Sequence, residues 1–359
     1  MFLGAEATIA VAAAMTFLIN SFEHTVTRWL EHRLRADLFI SSVGFQGAES
    51  DARMPGPLLD EIEALPETRA LDRFRALEVP WNGQTLTLGG IRFDLLGNDQ
   101  ELLWIQPPKN GQSLVSEGPM AAFANESLSR RTGLGRGDTL TLETPAGPRT
   151  LRIAGVHAEY SRDRGMLLVD LRQLEDWYGI SSYDTASLFL KPGVSPAVLQ
   201  ARLVERYPGL SIRLNGELME AALFIFRQTF AVTRALQVIG LVVALGGLAL
   251  SLLSLLRESG RELSLQRTLG MRRNEIANAA ALEGGGVAAA GLACGIALSA
   301  GLGLVLVYVI NRQSFGWTLQ VAFPWASTAG LAAAVLALGL GISWLTGRLY
   351  LRRWRREIL

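Results

Sequence analysis

Two long uncharged runs separated by a short charged stretch constrain this chain more than any other feature. Residues 235–256 and 284–310 contain no Asp, Glu, Lys, Arg or His. Each run exceeds the roughly 20 helical residues that cross a ~30 Å hydrocarbon core. The stretch between them, 257–283, holds five arginines, and an arginine-rich short loop between membrane helices is expected on the cytoplasmic side. The sequence therefore predicts a membrane protein with a charged cytoplasmic loop.

Two further apolar runs occupy 1–22 and 323–347. A signal peptide would give the first run a basic start and a small-residue cleavage site, but the first Arg or Lys is Arg28. We therefore expect a retained membrane helix, and the missing basic start also fits the later part of a longer protein. Arginines after the last run place the C-terminus inside, residues 23–230 outside and, with four spans, the N-terminus inside: Arg348, Arg352, Arg353, Arg355 and Arg356.

The segment between the first and second runs has a mixed pattern. Strands are expected where short Val, Leu, Ile and Thr-rich pieces are bounded by Gly, Pro or Asn: 37–43, 77–81, 84–88, 139–144, 150–156, 166–169 and 186–190. Helices are expected at 56–65, 119–132, 170–178 and 195–207, with Asp170 and Ser195 as N-caps. The predicted fold class is an α-helical membrane protein with four transmembrane helices, one before and three after an inserted α+β extracytoplasmic domain.

These patterns divide the chain into successive parts. An unbroken helix over 216–256 would be ~60 Å long at 1.5 Å per residue, so its first half is expected to stand outside the bilayer as a stalk. The predicted parts are a transmembrane helix at 1–22, a stalk at 23–36, the outer domain at 37–215, a stalk with the second span at 216–256, the charged segment at 257–283, the third and fourth spans at 284–310 and 323–347, and a basic tail at 348–359.

Several chemistries lack their motifs in this sequence. A phosphate loop needs Gly before Lys, and Lys109 and Lys191 follow Pro108 and Leu190. No nucleophile elbow and no His and Cys cluster for a metal is present, and no basic block points to a nucleic acid. We therefore predict no enzyme activity, no cofactor and no metal in this chain, so that any ATP is bound and hydrolysed by another subunit.

Two stretches stand out as sites of contact. In the third span, small residues at helical spacing allow close approach of helices, either to neighbours in the same chain or across a dimer seam: Gly291, Gly295, Ser299 and Gly303. In the charged segment, Leu263, Leu265 and Leu269 precede Gly270. This pattern predicts a short amphipathic helix that ends at a glycine cap, with a second helix following it.

The order of spans and several local strings resemble the FtsX-like permeases of the MacB and LolC/LolE kind. The string RELSLQRTLGMRRNEI at 261–276 is similar to the family's cytoplasmic segment, and 116–120, 131–134 and 137–142 resemble parts of its outer domain. The opening at 29–38 looks most like the later repeat of a long two-repeat permease. One departure is Arg272, where the family often has Ser or Thr as a helix cap.

The resemblance implies a type VII ABC system in the bacterial cytoplasmic (inner) membrane. Its implied partners are a cytoplasmic dimer of an ABC ATPase, a second permease copy or homologous permease half, and an outer periplasmic or extracellular partner. Residues that match the family's ATPase-coupling segment are Glu258, Arg261, Glu262, Leu265, Arg267, Leu269, Gly270, Met271 and Arg272.

Three functions are compatible with this organisation. The first is a permease that exports or extracts an outer-leaflet or periplasmic substrate, such as a lipoprotein, lipid, peptide or toxic amphiphile. The second is an FtsX-like transmitter that regulates a cell-wall hydrolase without transport. The third is a membrane-anchored sensor or scaffold without an ATPase. The large outer domain favours the first over the second, and the amphipathic inner segment disfavours the third.

Overall fold

A computed structural model describes most of the chain, namely residues 2–45, 52–95, 102–109, 120–160, 165–258, 269–311, 313 and 318–357. The chain forms two compact units. A helical unit comprises 1–24, 226–312 and 318–359, and an α/β unit comprises 25–225 with 313–317.

Within the described ranges the long α-helices belong wholly or partly to the helical unit, and the short ones belong to the α/β unit. In chain order the helices are α1 (Phe2–Arg33), α2 (Gly56–Glu63), α3 (Glu126–Thr132), α4 (Leu171–Tyr178), α5 (Pro196–Arg206), α6 (Asn215–Thr229), α7 (Ala231–Glu258), α8 (Arg273–Val305) and α9 (Trp325–Glu357). A 3-10 turn spans Phe93–Leu95, and α8 continues as a π-helical turn at Leu306–Ile310.

Two segments of the helical unit are long and apolar enough to cross a membrane. They are Asn274–Ile310, of 37 residues, and Trp325–Leu345, of 21 residues. The other two predicted spans, 1–22 and 235–256, lie in α1 and α7. That these two helices also cross the membrane stays a prediction, so the structure supports two membrane helices beside a mixed α/β domain rather than the full count of four.

The α/β unit is organised around one large sheet. Its strands are β1 (Leu38–Ser42), β3 (Thr68–Trp81), β4 (Gln84–Ile91), β5 (Trp104–Gln106), β6 (Ala121–Asn125), β7 (Thr139–Thr144), β8 (Gly147–His157), β9 (Met166–Asp170), β11 (Thr185–Leu190) and β12 (Leu210–Leu214). The order across the sheet is β12-β1-β11-β3-β4-β9-β6-β8-β5, and β7 also pairs with β8. A small second sheet joins β2 (Met54–Pro55) to β10 (Ser182–Tyr183).

The chain enters and leaves the sheet through neighbouring strands. In β1, Leu38 lies opposite Leu188 of β11 on one side and Leu214 of β12 on the other. The Asp37 carboxylate accepts a hydrogen bond from the Leu190 backbone N–H at 2.8 Å. The side chain of Asn215, at the start of α6, donates to the Leu34 carbonyl just after α1. The end of α1 and the start of α6 are therefore fixed side by side at one edge.

Strand β3 is shared by two halves of the domain. Its residues 68–74 pair with β11, and its residues 75–81 pair with β4. One hydrophobic cluster, with Leu71 at its centre, lies under α2 and α5, and a second cluster, with Leu88 and Leu167, lies under α3 and α4. A third cluster includes Leu168, and because successive strand residues point to opposite faces it covers the other side of the sheet.

A buried ion pair adds to these clusters next to β3. The Asp184 side chain is 1% exposed and accepts from Arg75 Nη1 at 2.5 Å. Its second oxygen accepts from the Ala76 backbone N–H at 2.8 Å. A buried carboxylate that is paired and hydrogen-bonded in this way is tolerated, whereas an unpaired one would be costly.

The helix predicted at 119–132 is wrong in its first half. Residues 121–125 form β6, and α3 begins only at Glu126. The change occurs at Asn125, whose side-chain oxygen accepts from the Leu128 backbone N–H and from the Met166 backbone N–H, each at 2.9 Å. Asn125 thus caps the helix and ties it to β9. The alanines before it are buried in the strand that lies between β8 and β9. Packing in the sheet therefore outweighs the helix propensity of alanine.

Most other expected elements are present with shifted ends. The expected strands each overlap an observed strand, and Asp170 caps α4 by accepting from the Arg172 N–H at 3.0 Å. Ser195 precedes α5 but makes no side-chain cap bond. The helix over 216–256 is interrupted at Phe230, between α6 and α7. Strands β5 and β12 and the first half of β3 were not expected from the sequence.

Candidate functional site

The candidate site is the charged segment between α7 and α8. Helix α7 ends at Glu258, and the next residue that the structure describes is Leu269. Four of the predicted coupling residues, Arg261, Glu262, Leu265 and Arg267, lie outside the described residues. The structure therefore defines the two ends of the segment, and the predicted amphipathic helix between them stays a prediction.

The second end of the segment begins with an exposed leucine and a left-handed glycine. The side chain of Leu269 is 79% exposed. Gly270 has φ +94°, and a Cβ placed on it would meet no atom within 4 Å. Any substitution at Gly270 would therefore be opposed by backbone conformation alone, since the left-handed region costs other residues about 1–2 kcal/mol. Glycine in this conformation is what a helix-ending cap requires.

Glu275 provides the cap at the start of α8. Its carboxylate accepts from the Arg272 backbone N–H at 2.7 Å, and its own N–H donates to the Arg272 carbonyl at 3.0 Å. The Arg272 side chain makes no cap bond, so the expected loss of a Ser or Thr cap is real. It is offset by the Glu at the third helical position, which supplies the reciprocal half of a capping box.

Met271 adds an apolar contact at the same helix start. It packs against Ile276, which is fully buried, and Ala280, which is 1% exposed. Met271 precedes the cap residue and Ile276 is the fourth helical residue, which is the spacing of a hydrophobic staple. The staple and the Glu275 bond together fix the direction in which the chain enters α8.

Close backbone contact joins α8 to α9 beyond this start. A Cβ on Gly284 would lie 1.8 Å from Ser343 Oγ, and a Cβ on Gly339 would lie 2.6 Å from the Ala288 Cβ. A Cβ on Gly285 would lie 2.5 Å from Leu340 Cδ2. These glycines let the two backbones approach in the way that small residues do in membrane helices. The helix that starts at the charged segment is thus closely packed on its neighbour.

The small residues predicted for helix packing have different surroundings. A Cβ on Gly303 would lie 2.6 Å from Phe17 Cδ1 of α1, whereas a Cβ on Gly295 would meet nothing within 4 Å. Ser299 is 8% exposed, and Gly291 is partly buried. Gly303 therefore contacts a neighbour in the same chain. A seam with a second permease copy at the other three positions stays a prediction.

Aromatic rings and an ion cluster connect α1 to the junction of α6 and α7. The ring of Phe22 lies 5.4 Å from that of Phe226 and 5.5 Å from that of Phe230, measured between centroids. The Glu23 carboxylate accepts from Arg227 Nε at 3.4 Å and from Arg234 Nη2 at 3.3 Å. These contacts hold the interruption at Phe230 against α1. The spacing of Phe226 and Phe230 predicts a helix face, but no local signal predicts that this face contacts Phe22 of α1.

The histidines do not assemble a metal site in the described part of the chain. Groups of three or more His, Cys, Asp or Glu residues that could hold a metal are absent among the described residues. His32 Nδ1 lies 2.7 Å from the Arg28 carbonyl oxygen of its own helix. His157 is 1% exposed, and burial lowers its pKa from 6.5 to about 4. At neutral pH His157 is therefore an uncharged core residue.

Comparisons with known proteins show what the chain is similar to. Residues 235–353 match the family model described as FtsX-like permease C-terminal. Over 97% of its length, the chain is 28% identical to the uncharacterized ABC transporter permease protein Rv0987 of Mycobacterium tuberculosis, and it spans 42% of that protein's length. These findings confirm the predicted resemblance to FtsX-like ABC transporter permeases.

Two solved structures are also similar in part. The periplasmic region of MacB from Actinobacillus actinomycetemcomitans is 12% identical, with a TM-score of 0.38, over 54% of this chain and 95% of that one. The extracellular domain of the noncanonic ABC-type transporter YknZ from Gram-positive bacteria is 12% identical, with a TM-score of 0.33, over 50% of this chain and 98% of that one.

Proposed function

We infer that this chain, which carries an FtsX-like permease C-terminal domain and is homologous to an ABC transporter permease, couples ATP hydrolysis on a separate subunit to movement of its outer domain. The movement drives export or extraction of an outer-leaflet or periplasmic substrate. The observation that carries the proposal is the rigid start of α8. Glu275 bonds to Arg272 at 2.7 Å, and Met271 packs on Ile276. A partner that binds the exposed Leu269 would move α8 directly.

The sequence supports a separate ATPase. Neither lysine of the chain has the glycine that a phosphate loop requires before it. Leucines of the charged segment would enter an apolar groove of the ATPase, while its arginines would pair with acidic groups at the rim. In this proposal ATP is bound only by the partner. The permease acts as a dimer with a second copy or a homologous half.

The proposed topology places the ATPase and the substrate on opposite sides. Residues 257–283 and both termini face the cytoplasm, in a bacterial inner membrane, while the α/β unit faces outward. The four-span arrangement uses α1 and α7 as the first two spans. Support comes from the arginines at 348–356 and 257–273, which flank the apolar helices α8 and α9.

The ATPase contact can be tested with a double variant, Leu269→Asp with Gly270→Pro. The first change adds a charge to the exposed apolar side chain, and the second removes the left-handed turn, since proline fixes φ near −65°. We expect the ATPase that co-purifies with the natural chain to be lost, together with stimulation of its activity. Unchanged recovery and unchanged stimulation would refute the proposal.

A matched control is Asn274→Asp. It adds the same charge a few residues away, at an exposed position in the first turn of α8, where a carboxylate is favourable. This variant is expected to retain the ATPase. Loss of the ATPase in both variants would show that added negative charge, and not the leucine and its turn, is responsible.

Export and signalling share this inner machinery and differ outside. The large α/β unit supports export, because a domain with three apolar clusters is more than a simple transmitter requires. Release of an outer-leaflet substrate from spheroplasts, measured with and without ATP hydrolysis, separates the two. ATP-dependent control of a cell-wall hydrolase with no substrate release would favour the FtsX-like transmitter.

A further inference from the structure

The helical unit contains a cleft of about 660 Å³ between α1, α7 and α9. Its wall is formed by residues within 13–23 of α1, 234–238 of α7 and 327–334 of α9. This volume falls within the range of small-molecule binding sites, roughly 300–1,000 Å³. The part of α1 that lines it is about 15 Å long at 1.5 Å per residue, which is the depth of one leaflet of a ~30 Å hydrocarbon core.

The cleft is mostly apolar, although Thr16, Ser327 and Thr328 also line it, and it has amide and charged side chains at one end. Its apolar wall includes Ala13, Ile19, Val238, Leu331 and Ala334. Such a surface between membrane helices is suited to an acyl chain, because it offers only dispersion contacts along most of the wall. The last residues of α1 that line the cleft, Asn20 and Glu23, are polar. The cleft therefore has one end that can bind a polar head group.

The polar end has an excess of positive charge and of hydrogen-bond donors. Glu23 is shared by two guanidinium groups, with Arg234 at 3.3 Å and Arg227 at 3.4 Å, so the three side chains carry a net charge of one positive unit. The Arg234 side chain remains 42% exposed. The Nε2 atom of Gln237 is buried and has no hydrogen-bond partner within the described residues. The amide of Asn20 is already used, since it donates to the Ala322 carbonyl at 2.8 Å.

We propose that this cleft binds one acyl chain of an anionic phospholipid, with the phosphate of its head group held by Arg234 and Gln237. Arginine is the side chain best suited to phosphate, because its planar donors match the phosphate oxygens. Gln237 also lines the cleft, and its buried amide N–H group, which has no partner within the described residues, would gain a hydrogen bond if the side chain turned toward the phosphate. The inference rests on the proposed function, and it narrows the substrate class to anionic amphiphiles that enter from the outer leaflet.

Lipid retention on the purified full chain tests the proposal directly. The chain is placed in nanodiscs of phosphatidylglycerol, phosphatidylcholine and a trimethylammonium-propane lipid in equal amounts, and the lipids that stay bound are counted by native mass spectrometry. We expect phosphatidylglycerol to be retained about tenfold over phosphatidylcholine, which corresponds to about 1.4 kcal/mol. Retention without head-group preference, or no retained lipid at all, would overturn the proposal.

Three variants assign the binding to the cleft. Arg234→Gln should reduce the preference for phosphatidylglycerol to about one, since it removes the charged contact to the phosphate. Gly330→Leu should abolish retention by filling the cleft, and a Cβ at Gly330 meets nothing within 4 Å, so the backbone is not forced to move. Gly286→Leu is the matched control, because Gly286 is equally open but lies outside the cleft. Equal retention in all three variants would refute the assignment.

A cationic ligand would produce the opposite pattern. The trimethylammonium lipid would then be enriched, and Glu23→Gln would abolish its retention; either result excludes the anionic head group. None of these measurements uses the ATPase. Lipid retention with no ATPase recruitment would therefore refute the proposed function alone, and ATPase recruitment with no lipid retention would refute the inference alone.

Discussion

The α/β unit and the helical unit are each stabilised internally by a different kind of interaction. The α/β unit buries large apolar side chains in three clusters around one sheet, and water drives that burial. In the helical unit the closest contacts are made by glycines, such as Gly284 against Ser343. A lipid environment offers little hydrophobic drive for helices to associate, so close packing of small residues takes its place. We therefore expect the α/β unit to lose stability mainly when a core side chain is made smaller. We expect the helical unit to lose stability mainly when a glycine is made larger.

The largest expected effect is the loss of a core side chain in the α/β unit. Phe123 is fully buried, and its ring packs on those of Phe93 and Trp104 at centroid distances of 5.0 and 5.1 Å. Phe123→Ala should lower the free energy of unfolding of this unit by about 4 kcal/mol, because it loses burial and leaves a cavity. Urea-dependent proteolysis of the full chain in detergent measures the change. Val198→Ala, at a residue 63% exposed on α5, is the control, and an equal loss in both variants would contradict the comparison.

A second prediction concerns the pH dependence of the same unit. Burial lowers the pKa of His157 from 6.5 to about 4, so the unfolded chain binds a proton that the folded protein does not. Its contribution to stability is complete above pH 6.5 and is lost as the pH falls from 6.5 toward 4, by up to about 1.4 kcal/mol per pH unit. The difference in unfolding free energy between the natural chain and His157→Gln should shrink over this range. A difference that is independent of pH would show that His157 is not buried in its neutral form.

The smallest expected effect is an added methyl group in the helical unit. Gly284→Ala places a Cβ against Ser343. It should lower the free energy of unfolding of the helical unit by about 2 kcal/mol, as overpacking commonly does. The double variant Gly284→Ala with Ser343→Gly should restore stability, since it removes both clashing atoms. Gly286→Ala is the control at an open position. Thermal denaturation in nanodiscs measures all three, and a failure of the double variant to recover would refute direct contact.

The sequence predicted best those elements whose signals are local. Strand β7 was expected with its observed ends because 139–144 alternates Thr and Leu before the turn at 145–147. Helix α4 was expected with Asp170 as its N-cap, and in the structure Asp170 caps it while Gly179 follows in the left-handed conformation. Such signals need no knowledge of distant residues.

Elements that depend on distant partners were missed. Strand β6 has the sequence AAFAN, which favours a helix locally, and it is a strand because it pairs with β8 and β9 and all five of its residues are buried. The first half of β3 contains Asp72 and Arg73 and is followed by Arg75, and these charged side chains bind partners outside the strand. Arg73, for example, pairs with Glu63 at 2.6 Å and Asp60 at 2.7 Å. Tertiary context overrode propensity in both cases.

The candidate site stays a prediction, and the structure describes the residues at its two ends. Its position between two apolar helices and the glycine stop at Gly270 followed from the sequence. The role of Glu275 was not recognised, although a Glu at the third helical position is a known cap signal. Met271 was named as a coupling residue, and its contact with Ile276 adds a role in fixing the helix start. The cleft beside α1 required three distant segments and had no local signal.

The attachment of the sheet at one edge has a consequence for how far its parts can travel. The chain enters through β1 and leaves through β12, while β5 lies at the far end of the order. Eight strand spacings separate β12 from β5, or roughly 38 Å at about 4.8 Å each. Because β3 continues without interruption through both halves, the sheet has a stiff middle. If the edge formed by β12 and β1 turned by about 10° and the sheet moved as a rigid body, β5 at the opposite edge would move by roughly 7 Å on this strand spacing.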